Sequence, residues 1–386
     1  MPDSASSQAE VVLDALSRRP DGAALRALRG VRVAVVGGFV RDTLVGREPR
    51  EIDLVVEGDT AQVAAALGGT LTSYEPFLAA RVSGDGWSID ITQARRERYP
   101  HPGTLPIVEP APLEQDLARR DFTVNAIAVT LEGGELIAAE GALGDLAAQR
   151  LRVLHDKSFI DDPTRVMRLA RYAHRLGFTV EPHTAALAAA ADLQALTGSR
   201  IGAELRLALL EPDPLAPLAD LTDKLPIIVD RPLVQAALAL APPDASPALV
   251  VLAAVTRERA PANWIESLEL LARERDIVLA AKRAPELALA IQATASPSAL
   301  AAVLRGAPAE VVAIAGALGP DAAARRWLSD LRHIRLEIDG DDLLAAGIVA
   351  GPELGARLER TLARKLDGQI DDGRQAELES ALGERP

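Results

Sequence analysis

Hydrophobic and polar positions change rhythm along the chain. Residues 32–36, RVAVV, are a β-branched run closed by Gly37-Gly38, which predicts a strand and a turn. FVRDTLVG then has helical spacing and stops at Gly46. Residues 51–57, EIDLVVE, alternate faces as a second strand, and TAQVAAALGG reads as a helix with glycines at its end. Residues 77–83 and 86–92 predict a hairpin around SGDG, and residues 8–29 predict short helices. Strands and helices are mixed through about residue 140, which predicts an α/β or α+β domain with an antiparallel component. After Leu143 strand signals nearly vanish. Amphipathic Ala/Leu helices run to the end, with proline-containing breaks at 211–217, 241–247 and 296–298.

Composition narrows the reading. A chain of 386 residues can bury more than one core, so two or more domains are expected. The absence of cysteine excludes disulfides, thiolate catalysis and cysteine zinc sites. No apolar run reaches membrane-spanning length, and MPDSASSQAE lacks the pattern of a signal peptide, so no membrane partner and a cytoplasmic location are expected. The net charge of -13 argues mildly against a nucleic-acid partner. Locally the balance reverses: from Arg150 to Arg175 seven basic residues face three acidic ones, enough for a phosphate-binding patch.

Candidate chemistry gathers near the first glycines. Residues i and i+2 of a strand point the same way, so Glu51 and Asp53 are expected to project together. Two such carboxylates repel unless a cation lies between them, and a pair of Mg²⁺ ions is a common solution in phosphoryl and nucleotidyl transfer. Backbone N–H groups at Gly37 and Gly38, where a helix begins, can cradle phosphates, and Arg41 one turn later adds charge for a triphosphate. Asp90, between Ile89 and Ile91, is a third carboxylate that either a metal site or a sheet edge would explain. Arg120 can bind a triphosphate or base. Asp121 and Asn125, at i and i+4 of a helical turn, can clasp ribose hydroxyls. Pro163 suits the first turn of a helix, with Asp162 as its cap. Arg165, Arg168 and Arg171 then recur every third residue beside an apolar face of Val166, Leu169, Ala170 and Ala173. Each feature also has a plain reading: a glycine turn, a solvated E-x-D, a capped helix with a solvated basic stripe.

GGFVRD, EID, IDITQARRERY, RRDFTVNAIA, GALGDL and DDPTRVMRLARYAHRLGF stand in the order found in class II tRNA nucleotidyltransferases. That family comprises the CCA-adding enzymes and bacterial poly(A) polymerases. The resemblance covers residues 31 to about 206. LTGSRIGAEL and the later DDLLAAGIVAGPELGARLERTLARKLDG also resemble family elements. It implies an α+β head with a small mixed or antiparallel sheet at residues 1–143, a helical neck at 144–210 and a helical body and tail at 211–386 that binds tRNA. It also implies Mg²⁺-dependent addition of all or part of CCA from CTP and ATP, by a monomer or homodimer. Glu51, Asp53 and Asp90 become the catalytic and metal-binding set; Gly37, Gly38, Arg41, Arg120, Asp121, Asn125, Asp162, Arg165, Arg168 and Arg171 become nucleotide-binding. The family's usual metal pair is Asp-x-Asp, and Glu51 departs from it.

The resemblance assigns Asp162 and Arg165 to reading the base, and hydrogen-bond chemistry agrees. Cytosine and adenine each offer an amino donor beside a ring-nitrogen acceptor; Asp accepts from the first and Arg donates to the second. Uracil and guanine reverse the order. CC-only or A-only addition, poly(A) synthesis, and a non-catalytic RNA-binding protein are the competing readings. His155-Asp156 lacks the further ligands of a metal phosphohydrolase, so His155 is expected to pack locally or meet tRNA backbone. Arg357, Arg360, Arg364 and Lys365 line a predicted late helix that would grip the tRNA body.

Overall fold

The computed structural model describes residues 4–383 except 20, 21, 23, 24, 26, 27, 50, 75–77, 85, 86 and 372. Two compact units divide the chain, Met1–Glu204 and Leu205–Pro386. In the first, α1 (Ala5–Ser17) is capped by the Ser4 hydroxyl, which accepts from the Ser7 N–H. Much of the expected helical stretch after α1 lies outside the described residues.

A seven-stranded sheet organises the unit in the order β3-β4-β5-β2-β1-β8-β9. Its strands are β1 (Arg32–Val36), β2 (Asp53–Glu57), β3 (Thr70–Tyr74), β4 (Ala79–Gly84), β5 (Trp87–Gln93), β8 (Ile127–Thr130) and β9 (Leu136–Ala138). Within this sheet, among the described residues, only β2 and β5 pair in parallel; the other neighbours are antiparallel. The expected hairpin is β4–β5, closing at Gly84↔Trp87, while its tip at 85 and 86 lies outside the described residues. β6 (Arg95–Arg98) and β7 (Ile107–Pro110) form a separate antiparallel pair.

The second strand begins later than its alternation suggests. The β1–β2 register runs from Arg32↔Glu57 to Val35↔Leu54. Continued, it would set Ile52 and Glu51 opposite Gly37 and Gly38, where β1 has already turned into α2 (Gly38–Leu44). Without a ladder partner there, Glu51 and Ile52 stay in the connection.

Helices cover the sheet. α3 (Thr60–Leu67) is capped by Asp59, and α4 (Leu113–Ala118) sends Leu113 and Leu117 into a cluster with Ala34, Val36, Val55 and Ala128. Then follow α5 (Ala142–Ala147), α6 (Ser158–Asp161), α7 (Thr164–Leu176), α8 (Pro182–Ala190) and α9 (Gly198–Leu209). Gly177, with φ 65°, ends α7 in the left-handed conformation that favours glycine.

The second unit is helical throughout its described elements. α10 (Leu215–Ala219), α11 (Arg231–Leu240), α12 (Pro247–Thr256), α13 (Ala262–Ser267), α14 (Ala272–Ala280), α15 (Ala284–Gln292), α16 (Pro297–Leu304), α17 (Ala309–Ala317) and α18 (Asp321–Ser329) precede α19 (Gly340–Ala345), α20 (Pro352–Leu366) and α21 (Arg374–Leu382). α12 and α17 are buried on nearly all sides and form the centre of this unit, which explains their near-continuous apolar sequences. Among the described residues no single helix is long and apolar enough to cross a membrane.

Candidate active site

A cavity of about 550 Å³ opens in the first unit. One end is the glycine turn. Gly37 has φ 64°, and a Cβ there would stand 3.0 Å from Arg120 Nη1, so glycine permits both the turn and the close approach of that guanidinium. Gly38 and Asp53 line the same wall. Burial pushes the Asp53 carboxyl up; Arg120 and Arg168 oppose the shift, whereas Glu51 and Asp90 reinforce it. The three carboxylates thus feel one another, although they do not share one strand.

Arg120 is aimed by a residue the sequence reading passed over. Asp116 is wholly buried on α4 and accepts from Arg120 at 3.0 Å and from Arg119 at 2.5 Å. Burial alone would raise its carboxyl, but the two arginines hold it below the usual range. The i+3 and i+4 spacing in DLARR was the available signal.

The middle of the site is a buried polar chain. Asp121 Oδ1 accepts from the Phe122 N–H at 2.8 Å and Asn125 Nδ2 at 2.9 Å, while Oδ2 accepts from Arg168 Nε at 2.9 Å and Nη2 at 2.7 Å. Asn125 Oδ1 accepts from Arg41 Nη1 at 2.5 Å. The i, i+4 link between Asp121 and Asn125 is real, but it spans a short 3₁₀ turn at Thr123–Asn125 and not an α-helix. Tyr172 lies beneath, with the guanidinium carbons of Arg41, Arg168 and Arg171 at 5.3, 5.4 and 4.8 Å from its ring centroid.

Two expected nucleotide contacts are placed differently. The Arg41 side chain is 2% exposed, pairs with Asp42 at 2.7 Å and lies behind the lining. Arg171 is also buried, 3.6 Å from Glu204, and is not part of the cavity wall. Both help to hold the site from behind. The basic run at 150–175 is divided: Arg150 and Arg152 bind Asp145 yet stay 39% and 42% exposed, whereas Arg165 is buried.

The other end of the cavity holds Asp162 and Arg165. All three hydrogen bonds described for Asp162 fall on Oδ1: from Thr164 N–H at 3.0 Å, Thr164 Oγ1 at 2.6 Å and Arg200 Nη2 at 2.7 Å. Arg165 donates from Nη1 to Ser158 Oγ at 2.8 Å and from Nη2 to the Arg119 carbonyl at 2.7 Å. It is therefore a fixed guanidinium in a cavity wall, not a member of a solvated stripe. Arg200 also donates to the Gly103 carbonyl at 2.8 Å, so the β6–β7 connection is tied beside Asp162. Tyr99, Leu105 and Pro106 give this end apolar surface; the Tyr99 hydroxyl donates to Glu97 at 2.8 Å. His155 packs nearby, half-buried, its pKa lowered by burial and by Arg165.

A divalent cation suits the chemistry of Asp53 and Glu51, hard carboxylate donors whose mutual repulsion it would relieve. The complete expected trio is not assembled. Glu51 is exposed, and both Asp90 oxygens are taken by Arg81, at 2.6 and 2.8 Å. Among the described residues no three acidic or histidine side chains are gathered as a metal cage.

Residues 33–152 match the poly A polymerase head domain. The chain is 44% identical over 215 residues to an A-adding tRNA nucleotidyltransferase of Geobacter sulfurreducens, spanning 51% of this chain and 24% of the relative. It is 42% identical over 201 residues to a CC-adding tRNA nucleotidyltransferase of Deinococcus radiodurans, spanning 49% and 53%. The matched segment is thus about half or less of the length of these curated relatives. Among solved structures, a CCA-adding enzyme in apo form aligns over 97% of this chain and 95% of its own, with TM-score 0.78 and 28% identity. A Thermotoga maritima CCA-adding enzyme complexed with tRNA aligns over 96% and 98%, with TM-score 0.73 and 27% identity. Residues 33–152 thus carry a poly A polymerase head domain, and over nearly its whole length the chain is similar in fold to CCA-adding enzymes.

Proposed function

We propose that this protein is a template-independent tRNA nucleotidyltransferase, adding all or part of the terminal CCA from CTP and ATP. The observation that carries the reading is one cavity with two chemically distinct ends: Gly37, Gly38, Asp53 and Arg120 at one, Asp162 and Arg165 at the other. The first end suits a triphosphate. The second suits the base edge shared by C and A, because Asp162 Oδ2 is left to accept from an amino group while Arg165 donates to a ring nitrogen. A wrong base would leave an acceptor site of Asp162 and a donor of Arg165 unmet, at about 1–3 kcal/mol each.

The tRNA 3′ oxygen gives its proton to solvent and attacks the α-phosphorus as the bond to pyrophosphate breaks. Arg120 stabilises charge on the phosphates, and Asn125 faces the ribose. Asp121 already accepts four hydrogen bonds, so it positions Arg168 and Asn125 instead of contacting sugar. Mg²⁺, held by Asp53 with Glu51, would neutralise developing negative charge and favour the ionised 3′ oxygen. In functional terms residues 1–143 are the catalytic head, 144–210 the base-reading neck and 211–386 the tRNA-holding body.

A-only addition is the second reading, favoured by the 44%-identical A-adding relative. The test uses tRNA lacking CCA, tRNA lacking only the final A, and each labelled nucleotide singly. Growth by C, C and A supports the full activity; growth only by A on the longer tRNA supports the second reading. Incorporation into neither tRNA overturns both.

A further inference from the structure

Three strands carry three charged side chains in one row. Asp53 on β2 is the register partner of Asp90 on β5, and Asp90 is the register partner of Arg81 on β4. Register partners point to the same face of a sheet. Ile89 and Ile91 flank Asp90 and are fully buried on the opposite face, which fixes Asp90 toward the site side. Arg81 holds it by a two-point fork, Nε to Oδ1 at 2.6 Å and Nη2 to Oδ2 at 2.8 Å. Such a fork occupies both oxygens with defined geometry.

We propose that Arg81 is a competing internal cation for Asp90: it keeps the third carboxylate out of the metal set until a divalent ion displaces it. The inference rests on the metal reading of Asp53 and Glu51 given above. Magnitudes make displacement feasible. The Arg81 and Asp90 side chains are 50% and 43% exposed, and ion pairs at that exposure contribute little. A dication held by Asp53 would offer Asp90 twice the charge of a guanidinium. The pair still has a use, because without a counter-cation Asp90 would add to the repulsion that Asp53 already feels. Arg81 thereby lowers affinity for the ion without abolishing it, and hands over Asp90 when the ion arrives.

The experiment measures Mn²⁺ binding to the full chain, without nucleotide or tRNA, by electron paramagnetic resonance of the free ion. Arg81→Gln is expected to tighten Mn²⁺ binding by about two- to fivefold, a range set by the small worth of a half-exposed pair. Arg81→Lys, which keeps charge without the fork, should fall between. Adding Asp90→Asn to Arg81→Gln should erase the gain. Unchanged or weaker binding by Arg81→Gln, in protein with wild-type circular dichroism and Tm, overturns the proposal, as does a gain that survives Asp90→Asn. Asp53→Asn separates the two readings. If it leaves wild-type Mn²⁺ affinity intact, the metal reading itself fails; if it abolishes binding while Arg81→Gln is silent, only the role of Arg81 fails.

Discussion

Arg168 places both Nε and Nη2 on one oxygen of Asp121, 47 residues earlier in the chain. The other oxygen of Asp121 holds Asn125. A single carboxylate therefore fixes a cation of α7 and an amide of the 3₁₀ turn at Thr123–Asn125. Burial would raise the Asp121 carboxyl, but Arg168 and Asn125 hold it at about 2. Its folded pKa lies below its unfolded value, so its contribution is fully present above about pH 4 and is lost as pH falls toward 2. That contribution is on the order of 2 kcal/mol. Thermal unfolding of wild type should show a falling Tm across this window, and Asp121→Asn should lower the neutral-pH Tm and flatten the acid arm. Parallel acid arms in the two proteins would contradict the assignment.

On the proposed metal role of Asp53, Asp53→Ala is expected to reduce nucleotide addition by about a thousandfold or more while tRNA affinity stays within about twofold, because it would remove a metal ligand and no phosphate contact. Residual turnover within tenfold of wild type would remove Asp53 from the catalytic set. Glu51→Asp, which restores the residue usual in the family, should leave activity unchanged or raise it.

Arg165→Ala should loosen base choice more than it weakens tRNA binding. Arg165 is pinned by Ser158 and by the Arg119 carbonyl, so its donors are fixed before a nucleotide arrives. The ratio of UTP to CTP incorporation is expected to rise about ten- to hundredfold, as follows from losing a buried charged hydrogen bond. An equal fall for every nucleotide would make Arg165 a structural or phosphate residue.

Local chemistry was legible in the sequence wherever the chain signals to itself. The β-branched run at 32–36, the glycine turn, the helix started at Pro163 and ended at Gly177, and the shift to helices after residue 143 all use neighbours within one turn. What failed depends on partners far away. Glu51 was read into β2 because its alternation is correct, yet β1 has already turned where Glu51 would need a partner. Arg165, Arg168 and Arg171 have the spacing of a solvated stripe, and only the carbonyl of Arg119, Asp121 and Glu204 explain why they are buried or half-buried. Arg41 was assigned to a triphosphate because it lies one turn after the glycines; Asn125, 84 residues later, claims it instead. Arg81 had no local mark at all, since its meaning lies in the β4–β5 register.

Gly316 tests the packing of the second unit. A Cβ there would stand 2.4 Å from Ala324 Cβ and 2.9 Å from Leu240 Cδ1. Alanine gains up to about 1 kcal/mol of helix propensity over glycine, but Ala324 Cβ cannot rotate away and overpacking costs about 1–3 kcal/mol. The clash should win, with Gly316→Ala destabilising this unit by about 1–2 kcal/mol in urea unfolding followed by tryptophan fluorescence. Gly355, helical and with nothing near its missing Cβ, is the control: Gly355→Ala should stabilise by about 0.5–1 kcal/mol.

The last helices use their cations inward. Lys365 donates to Glu377 at 2.6 Å, Arg357 to the Ala381 carbonyl at 2.7 Å, and Arg364 to Ser380 Oγ at 3.3 Å. Arg360, the most exposed of the four expected tRNA contacts with a side-chain exposure of 46%, pairs with Glu353 at 3.0 Å. Glu377 is fully buried and also accepts from the Glu337 and Ile338 N–H groups at 2.6 and 3.2 Å. It is the fastening of α20 and α21 to the segment before α19. Glu377→Ala takes the counter-charge from the Lys365 ammonium, which keeps the Arg335 carbonyl at 3.1 Å, and leaves two amides without this acceptor, so local stability should fall by about 1–3 kcal/mol. Hydrogen exchange should then rise across residues 337–382 and not in the first unit. Arg360→Ala breaks only an exposed pair and should change stability by less than about 1 kcal/mol. If Arg360 were a phosphate contact, the same variant would lower the dependence of log tRNA affinity on log salt by about 1. The inward pairing of its helix predicts a smaller change, and a full loss of one unit of slope would restore this helix as the tRNA grip.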